Sequence, residues 1–227
     1  MDRLLTPLLR KLYAGFAAFA LVYVGVLVGQ YTPWNKERLY RKLVNGGEEA
    51  RAAAGFDLAY LHGESQLLRG LKSDSADVRF VAANSLWSLW ARAGGHSAFR
   101  QVEAANKATA RKAYPEALKI LTGLTRSYPR FAEGWNRRAI LFWEMGRLDE
   151  SIADARRVVT LNPNHFGAWQ GMGLCHAQLG DLEEACRCLR AALRITPHDS
   201  SLRKLLGRCE ELFDRLKPRS KTQFDLI

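Results

Sequence analysis

The amino-terminal part of the chain contains one long stretch of apolar positions. From Leu12 to Tyr31 there is no charged side chain, and aromatic rings stand at both ends of this stretch, at Tyr13, Tyr31 and Trp34. Twenty helical residues span about 30 Å, which is the thickness of the bilayer hydrocarbon. Tyrosine and tryptophan favour the interface on either side of it. Residues 1–34 are therefore predicted to form a single transmembrane anchor.

Two other interpretations of this stretch are less favourable. A cleaved signal peptide has a shorter apolar core and a small-x-small exit, whereas Leu27-Val28-Gly29 is a poor cleavage site. A core helix of a soluble domain seldom lacks charge for so long. Basic residues flank the stretch on both sides, at Arg10 and Lys11 and again from Lys36, so the positive-inside rule leaves the orientation open.

After the anchor, apolar residues recur at helical spacing, and residues 35–95 are predicted to form a helical adaptor. Residues 35–43 are basic and amphipathic, and Gly46-Gly47 ends them. This segment is interpreted either as a helix on anionic head groups or as the first helix of the folded domain. A later helix, 78–91, has apolar residues on two faces, which indicates packing on two sides. With the turn at 73–75, it resembles a hairpin of the HEAT type.

From residue 98 onwards, small, aromatic and turn-forming positions recur every 34 residues. The recurring sets are Pro129, Pro163 and Pro197; Glu116, Glu150 and Glu184; Trp135 and Trp169; and Gly146 and Gly180. Glycine suits the turn between two helices, and proline ends the second helix. A fixed period of this length indicates a stack of helical hairpins, none of which can bury its apolar face alone.

The period and these residues resemble the tetratricopeptide repeat (TPR). The resemblance implies a TPR domain over 98–215, with units 98–131, 132–165 and 166–199 and a cap helix over 200–213. The first unit is degenerate, since Gln101 stands where the family has tryptophan. Residues 216–227 are predicted to be a flexible tail. The predicted fold is all-α: an anchor, a HEAT-like adaptor and a TPR solenoid.

In TPR proteins the first helix of each hairpin lines a concave groove that binds partner peptides. The resemblance places seven candidate groove residues here: Asn106, Asn136, Arg137, Ile140, Trp143, Gln170 and Leu174. Amide side chains can hold the backbone of an extended peptide, and a tryptophan can supply a large apolar anchor.

One subset of the family clamps the acidic carboxyl terminus of chaperones with lysines, asparagines and an arginine. The matching positions here are Val102, Asn106, Arg137, Gly167 and Gly171. Only the first asparagine is retained, and both lysines are missing. Capture of a chaperone tail is therefore disfavoured.

Charge and candidate chemistry change this picture little. The net charge is +11, but the basic residues are scattered along helices, which disfavours nucleic acid as the partner. The four cysteines, near the carboxyl terminus, show no zinc spacing and are expected to be free, partly buried thiols in a reducing compartment. No catalytic motif is present, so we expect no enzyme, no cofactor and no metal site.

The sequence thus predicts a membrane-anchored scaffold that binds a protein partner, as an accessory subunit or assembly factor of a membrane complex. The sequence of the repeats resembles TPR proteins of the bacterial type, which also occur in organelles. This resemblance favours a mitochondrial inner or plastid membrane, or a bacterial-type membrane, as the location. Two alternatives stay open. One is a basic, RNA-binding helical-repeat factor, and the other is a structural subunit that acts through its membrane helix.

Overall fold

The computed structural model describes residues 32–216 and six earlier positions, 15, 16, 19, 20, 24 and 29. Apart from those six positions, the predicted membrane helix over Leu12–Tyr31 lies outside the described residues, and so does the predicted tail beyond Leu216. Within the described part, no helix combines the length and the apolar character needed to cross a membrane.

The described residues from 32 to 216 form eleven α-helices and no strand, which confirms the all-α prediction. The helices are α1 (Pro33–Asn45), α2 (Glu48–Tyr60), α3 (Glu64–Gly70), α4 (Ala76–Arg92), α5 (Gly95–Ala110), α6 (Tyr114–Ser127), α7 (Ala132–Glu144), α8 (Leu148–Leu161), α9 (Phe166–Gln178), α10 (Leu182–Ile195) and α11 (Ser200–Leu216). The chain divides into two compact units, residues 1–85 and 86–227, and the boundary falls within α4.

In the first unit, the basic helix α1 packs as part of the folded core. Thr32 caps it by accepting a hydrogen bond from the Asn35 N–H at 3.3 Å, and Leu39 and Leu43 are buried. This burial favours the second interpretation of the segment, the first helix of a folded unit. A Cβ added at Gly55 would lie 2.5 Å from the Val81 side chain, so the close contact of α2 with α4 here requires glycine.

The second unit contains the predicted helical hairpins, α5–α6, α7–α8 and α9–α10, followed by α11. Equivalent residues of successive hairpins make the same contact. The Trp135 indole donates to the Pro129 carbonyl at 3.1 Å, and 34 residues later the Trp169 indole donates to the Pro163 carbonyl at 2.9 Å. The 34-residue period of the sequence therefore corresponds to a repeated contact in the structure.

The turn inside each hairpin also repeats, including in the degenerate unit. Gly146 and Gly180 have φ values of 73° and 81° in the left-handed region. The residue one period earlier, Lys112, adopts the same conformation with φ 58° although it is not glycine. A side chain is disfavoured in that region because Cβ crowds the following carbonyl oxygen. The first hairpin therefore keeps the backbone geometry of the other two at an energetic cost.

A largely buried arginine, Arg138, links neighbouring hairpins. Arg138 on α7 makes a bidentate ion pair with Asp154 on α8, at 2.7 and 2.8 Å. Its third nitrogen donates to the Thr125 hydroxyl on α6 at 3.0 Å. Both charged side chains are largely buried, and a planar guanidinium suits this forked geometry. One side chain thus fixes α6, α7 and α8 relative to one another.

Candidate functional site

A pocket of about 210 Å³ lies between α7 and α9, the first helices of the second and third hairpins. Five of the seven candidate groove residues line it: Asn136, Ile140, Trp143, Gln170 and Leu174. Among these residues, Ile140 and Trp143 are large apolar side chains that remain 39% and 43% exposed beside one another on α7. The structure therefore brings most of the predicted residues to one place.

The base of this pocket has few polar atoms to offer a ligand. Ser151 of α8 donates to the Ala139 carbonyl at 2.8 Å, and the Cys175 thiol donates to the Ser151 hydroxyl at 3.4 Å. These polar atoms are satisfied by one another, so the base presents mainly carbon and sulfur. A pocket of this size and lining suits an apolar side chain.

The other two candidate residues, Asn106 and Arg137, line a second pocket between α5 and α7. Its volume is about 270 Å³, and its wall also includes Thr109, Glu144 and Ile140. Ile140 lines both pockets, so they adjoin at this residue. The second pocket is the more polar of the two because it combines an amide, a guanidinium and a carboxylate.

A buried glutamate gathers the polar side chains at the amino-terminal end of α7. Glu133 is 1% exposed and accepts hydrogen bonds from Asn136 at 3.1 Å and from Arg137 at 2.6 Å. His165 lies 3.3 Å away through Nε2. The His165 Nδ1 accepts the Ala168 N–H at 3.1 Å, so the proton of the neutral ring is on Nε2 and points to the carboxylate.

This network changes the role expected for two of the groove residues. The amide nitrogen of Asn136 and the Nε of Arg137 are directed at Glu133, into the protein. Asn136 is only 3% exposed, so a ligand backbone is left with the side chain of Gln170 and the terminal N–H groups of Arg137, whose side chain is 31% exposed. The polar contacts of the groove are thus fewer than the sequence suggested.

Trp87 and Trp90, near the end of α4, contact the start of α9 beside the candidate site. The sequence analysis did not predict these contacts. The Trp87 ring meets His165 and Phe166 edge-on, with ring centres 5.2 and 5.1 Å apart. The Trp90 ring stacks on His165 at 4.6 Å. A Cβ at Gly167 would lie 2.5 Å from the Trp87 ring. The two-faced pattern of the helix indicated a second packing surface but not its partner.

The positions that bind an acidic carboxyl terminus in part of the family make different contacts in this protein. Val102 is buried in the core of the first hairpin, and the Trp87 ring covers Gly167. Arg137 is paired with Glu133. The described groove therefore lacks the cluster of cationic side chains that would hold an acidic carboxyl terminus.

All four cysteines are free, as expected from the sequence, and they are buried more completely than the partial burial that was predicted. Burial raises the pKa of each thiol, and it raises that of Cys188 to about 11. Near Cys188, the ring of His176 bonds to Asp181 through Nδ1 at 3.0 Å.

The sequence predicted no metal site because the cysteines and histidines do not show the spacings of zinc sites. That test did not include glutamates such as Glu184. The structure brings His176, Glu184 and Cys188 together.

Stacked hairpins with a groove between their first helices define a helical-repeat protein. The family model described as tetratricopeptide repeat matches residues 102–165 and 136–200. A TPR repeat-containing protein of Rhizobium etli is 31% identical over 147 residues, which are 65% of this chain and 71% of that protein. The chain belongs to the tetratricopeptide repeat family.

Two further similarities concern the repeat region. The Hsp70-Hsp90 organizing protein of Triticum aestivum is 25% identical over 124 residues, 55% of this chain but only 21% of that protein. The solved structure of the first TPR of Spaghetti (RPAP3) bound to the HSP90 peptide SRMEEVD has a TM-score of 0.50 and 21% identity. It covers 52% of this chain and 93% of that one. The likeness in structure shows the fold, and the repeat region is a TPR scaffold for protein interaction.

Proposed function

We propose that the chain holds an extended segment of a protein partner in the groove between α7 and α9, beside a membrane. The observation that carries the proposal is the pocket of about 210 Å³ with Ile140 and Trp143 exposed at its edge. An apolar residue of the partner would fill the pocket, and Gln170 would bind the neighbouring backbone. The partner would be a subunit of a membrane complex, and this chain its assembly factor or accessory subunit.

The chemistry of the groove favours an apolar ligand over an acidic tail. The Spaghetti domain binds an HSP90 peptide that ends in EEVD. Here Gly167 and Gly171 provide no cation, and the Arg137 guanidinium is already paired with the Glu133 carboxylate. We therefore expect the groove to discriminate against such peptides.

The membrane half of the proposal rests on the apolar sequence from Leu12 to Tyr31. We propose that residues 1–34 anchor the chain in a mitochondrial inner or plastid membrane, or in a bacterial-type membrane. The similarity to a protein of Rhizobium etli supports the bacterial type of the repeats. Carbonate washing should leave the full chain in the membrane pellet and release a chain that lacks residues 1–34.

The groove is tested by photo-crosslinking in the native membrane. A photoreactive residue in place of Gln170 should join the chain to one protein, identified by mass spectrometry. Leu174→Glu puts a charge into the pocket and should abolish this adduct, whereas Arg157→Ala changes an exposed residue of α8 and should leave it. An adduct that persists in Leu174→Glu would reject the groove as the binding site.

Two further measurements separate the alternatives, namely deletion of residues 1–34 and the dependence of binding on salt. A structural subunit that acts through its membrane helix should fail to assemble once residues 1–34 are removed, whereas a groove-binding adaptor should still capture its partner in solution. An RNA-binding factor should lose affinity steeply as salt is raised, since phosphate contacts release counterions. Binding to an apolar pocket should depend far less on salt.

A further inference from the structure

A histidine, a glutamate and a cysteine meet between the two helices of the third hairpin. One ligand atom each of His176, Glu184 and Cys188 lies within 4.8 Å of the other two. Glu184 and Cys188 are four residues apart on α10 and so share one face of that helix. His176 comes from the last turn of α9. The three side chains combine nitrogen, oxygen and sulfur, the donor atoms that zinc takes in proteins.

The imidazole of this group is held by a carboxylate. The His176 Nδ1 and the Asp181 Oδ2 are 3.0 Å apart, and because a carboxylate accepts, the proton is on Nδ1. The lone pair that a metal needs is then on Nε2. Asp181 is fixed in turn, since its other oxygen accepts the Glu184 N–H at 3.3 Å. A carboxylate that orients a metal-binding histidine in this way is a common feature of zinc sites.

The distances leave a small adjustment for an ion. Zinc bonds of about 2.0–2.3 Å hold the ligand atoms of a tetrahedral site roughly 3.5 Å apart. Because the present atoms lie within 4.8 Å of one another, they need to close by at most about 1.3 Å. His176 and Cys188 are buried, and the side chain of Glu184 is 29% exposed, which gives an ion access from that side. Arg187 pairs with Glu184 but is itself 71% exposed, so this pair is weak.

We propose that His176, Glu184 and Cys188 bind one zinc ion, with the fourth position open to water. Ligands that include sulfur and imidazole favour zinc over magnesium or calcium, which take oxygen ligands. The ion would join α9 to α10 across the turn at Gly180. It would thereby stiffen the third hairpin, whose first helix forms one wall of the groove.

Cobalt tests the site because a thiolate bound to Co²⁺ gives a charge-transfer band in the near ultraviolet. The full chain is purified reduced in mild detergent, stripped with a chelator and titrated with Co²⁺. A single equivalent should produce the band, and Zn²⁺ should remove it. Zinc should also raise the unfolding temperature, because an ion bound only by the folded state stabilises it.

Variants of α10 identify the ligands. Cys188→Ser should abolish the charge-transfer band. Cys186→Ser is the matched control: it lies on the same helix but belongs to the cluster that packs on α11, and it should keep the band. Asp181→Asn should weaken Co²⁺ binding by about 10- to 100-fold, which is typical for loss of an orienting carboxylate.

The proposal would be overturned if the folded wild type gave no charge-transfer band, or if the band survived in Cys188→Ser. If Cys188→Ser does not fold, the partly exposed Glu184→Gln replaces it, with circular dichroism as the folding check. That variant should lower the affinity for Co²⁺ at least tenfold. An unchanged affinity would remove the carboxylate from the site and contradict the proposal.

Discussion

The ring of Trp87 lies so close to Gly167 that a Cβ on residue 167 would come within 2.5 Å of its Cη2 atom. Gly167 is in the first turn of α9, at the amino-terminal end of the groove, and Trp87 is in α4, before the first hairpin. Trp87 therefore packs against the first turn of α9, whereas Ile140 and Trp143 of the pocket lining are 39% and 43% exposed.

Gly167→Ala should destabilise the protein relative to Gly171→Ala. Overpacking typically costs about 1–3 kcal/mol. A Cβ at Gly171 meets nothing within 4 Å, and alanine stabilises a helix interior by roughly 0.5–1 kcal/mol over glycine. Urea unfolding followed by tryptophan fluorescence measures both variants. In a Trp87→Ala background the difference between them should vanish; a difference that remains there would contradict the contact.

Glu133→Gln should lower the free energy of unfolding by roughly 2 kcal/mol, because charged hydrogen bonds in a buried network lose their charge without a change of shape. Glu133 is 1% exposed and is bonded to Asn136, Arg137 and His165. Glu116→Gln is the control, since its ion pair with Arg111 is exposed on both sides. It should change stability by less than about 0.5 kcal/mol. Equal losses of stability from Glu133→Gln and Glu116→Gln in thermal or urea unfolding would contradict a stabilising role for the buried network.

Lys112→Gly should stabilise the protein, by up to about 1 kcal/mol, because glycine relieves the left-handed conformation that Lys112 adopts at φ 58°. Gly146→Ala, one period later, should cost about 1–2 kcal/mol by the same physics, although no atom lies within 4 Å of the added Cβ. Opposite signs in urea unfolding are the expected result. Destabilisation by Lys112→Gly would mean that the lysine side chain makes a compensating contact.

The buried thiols should react slowly with alkylating reagents in the folded, metal-free protein at neutral pH. Burial raises the pKa of all four, so the reactive thiolate is scarce as well as shielded. The unfolded chain loses these protons first as pH rises above about 9. Stability contributed by the thiols is therefore complete below that pH and falls above it. Alkylation followed by mass spectrometry at pH 7 to 10, with and without urea, measures the reactivity of each thiol. Rapid labelling of the folded protein at pH 7 would contradict the predicted slow reaction.

Much of the repeat region could be predicted from sequence because its determinants are local. Pro163 ends one helix wherever it stands, and Gly146 turns the chain through its own φ, so a period of 34 residues indicates hairpins without knowledge of their contacts. The candidate groove followed from the same register. Asn136, Ile140 and Gln170 were predicted by their position on the first helices, and the structure gathers them at one pocket.

What the sequence determined by itself was therefore the class of fold and the 34-residue period of its helical hairpins. Only the tertiary structure decided that Trp87 packs on Gly167, that Glu133 accepts hydrogen bonds from Asn136 and Arg137, and that His176 lies near Cys188. These contacts join residues from different helices. Side-chain pattern reports which face of a helix is buried, whereas the identity of the neighbour depends on how the helices pack, and packing is a property of the whole chain.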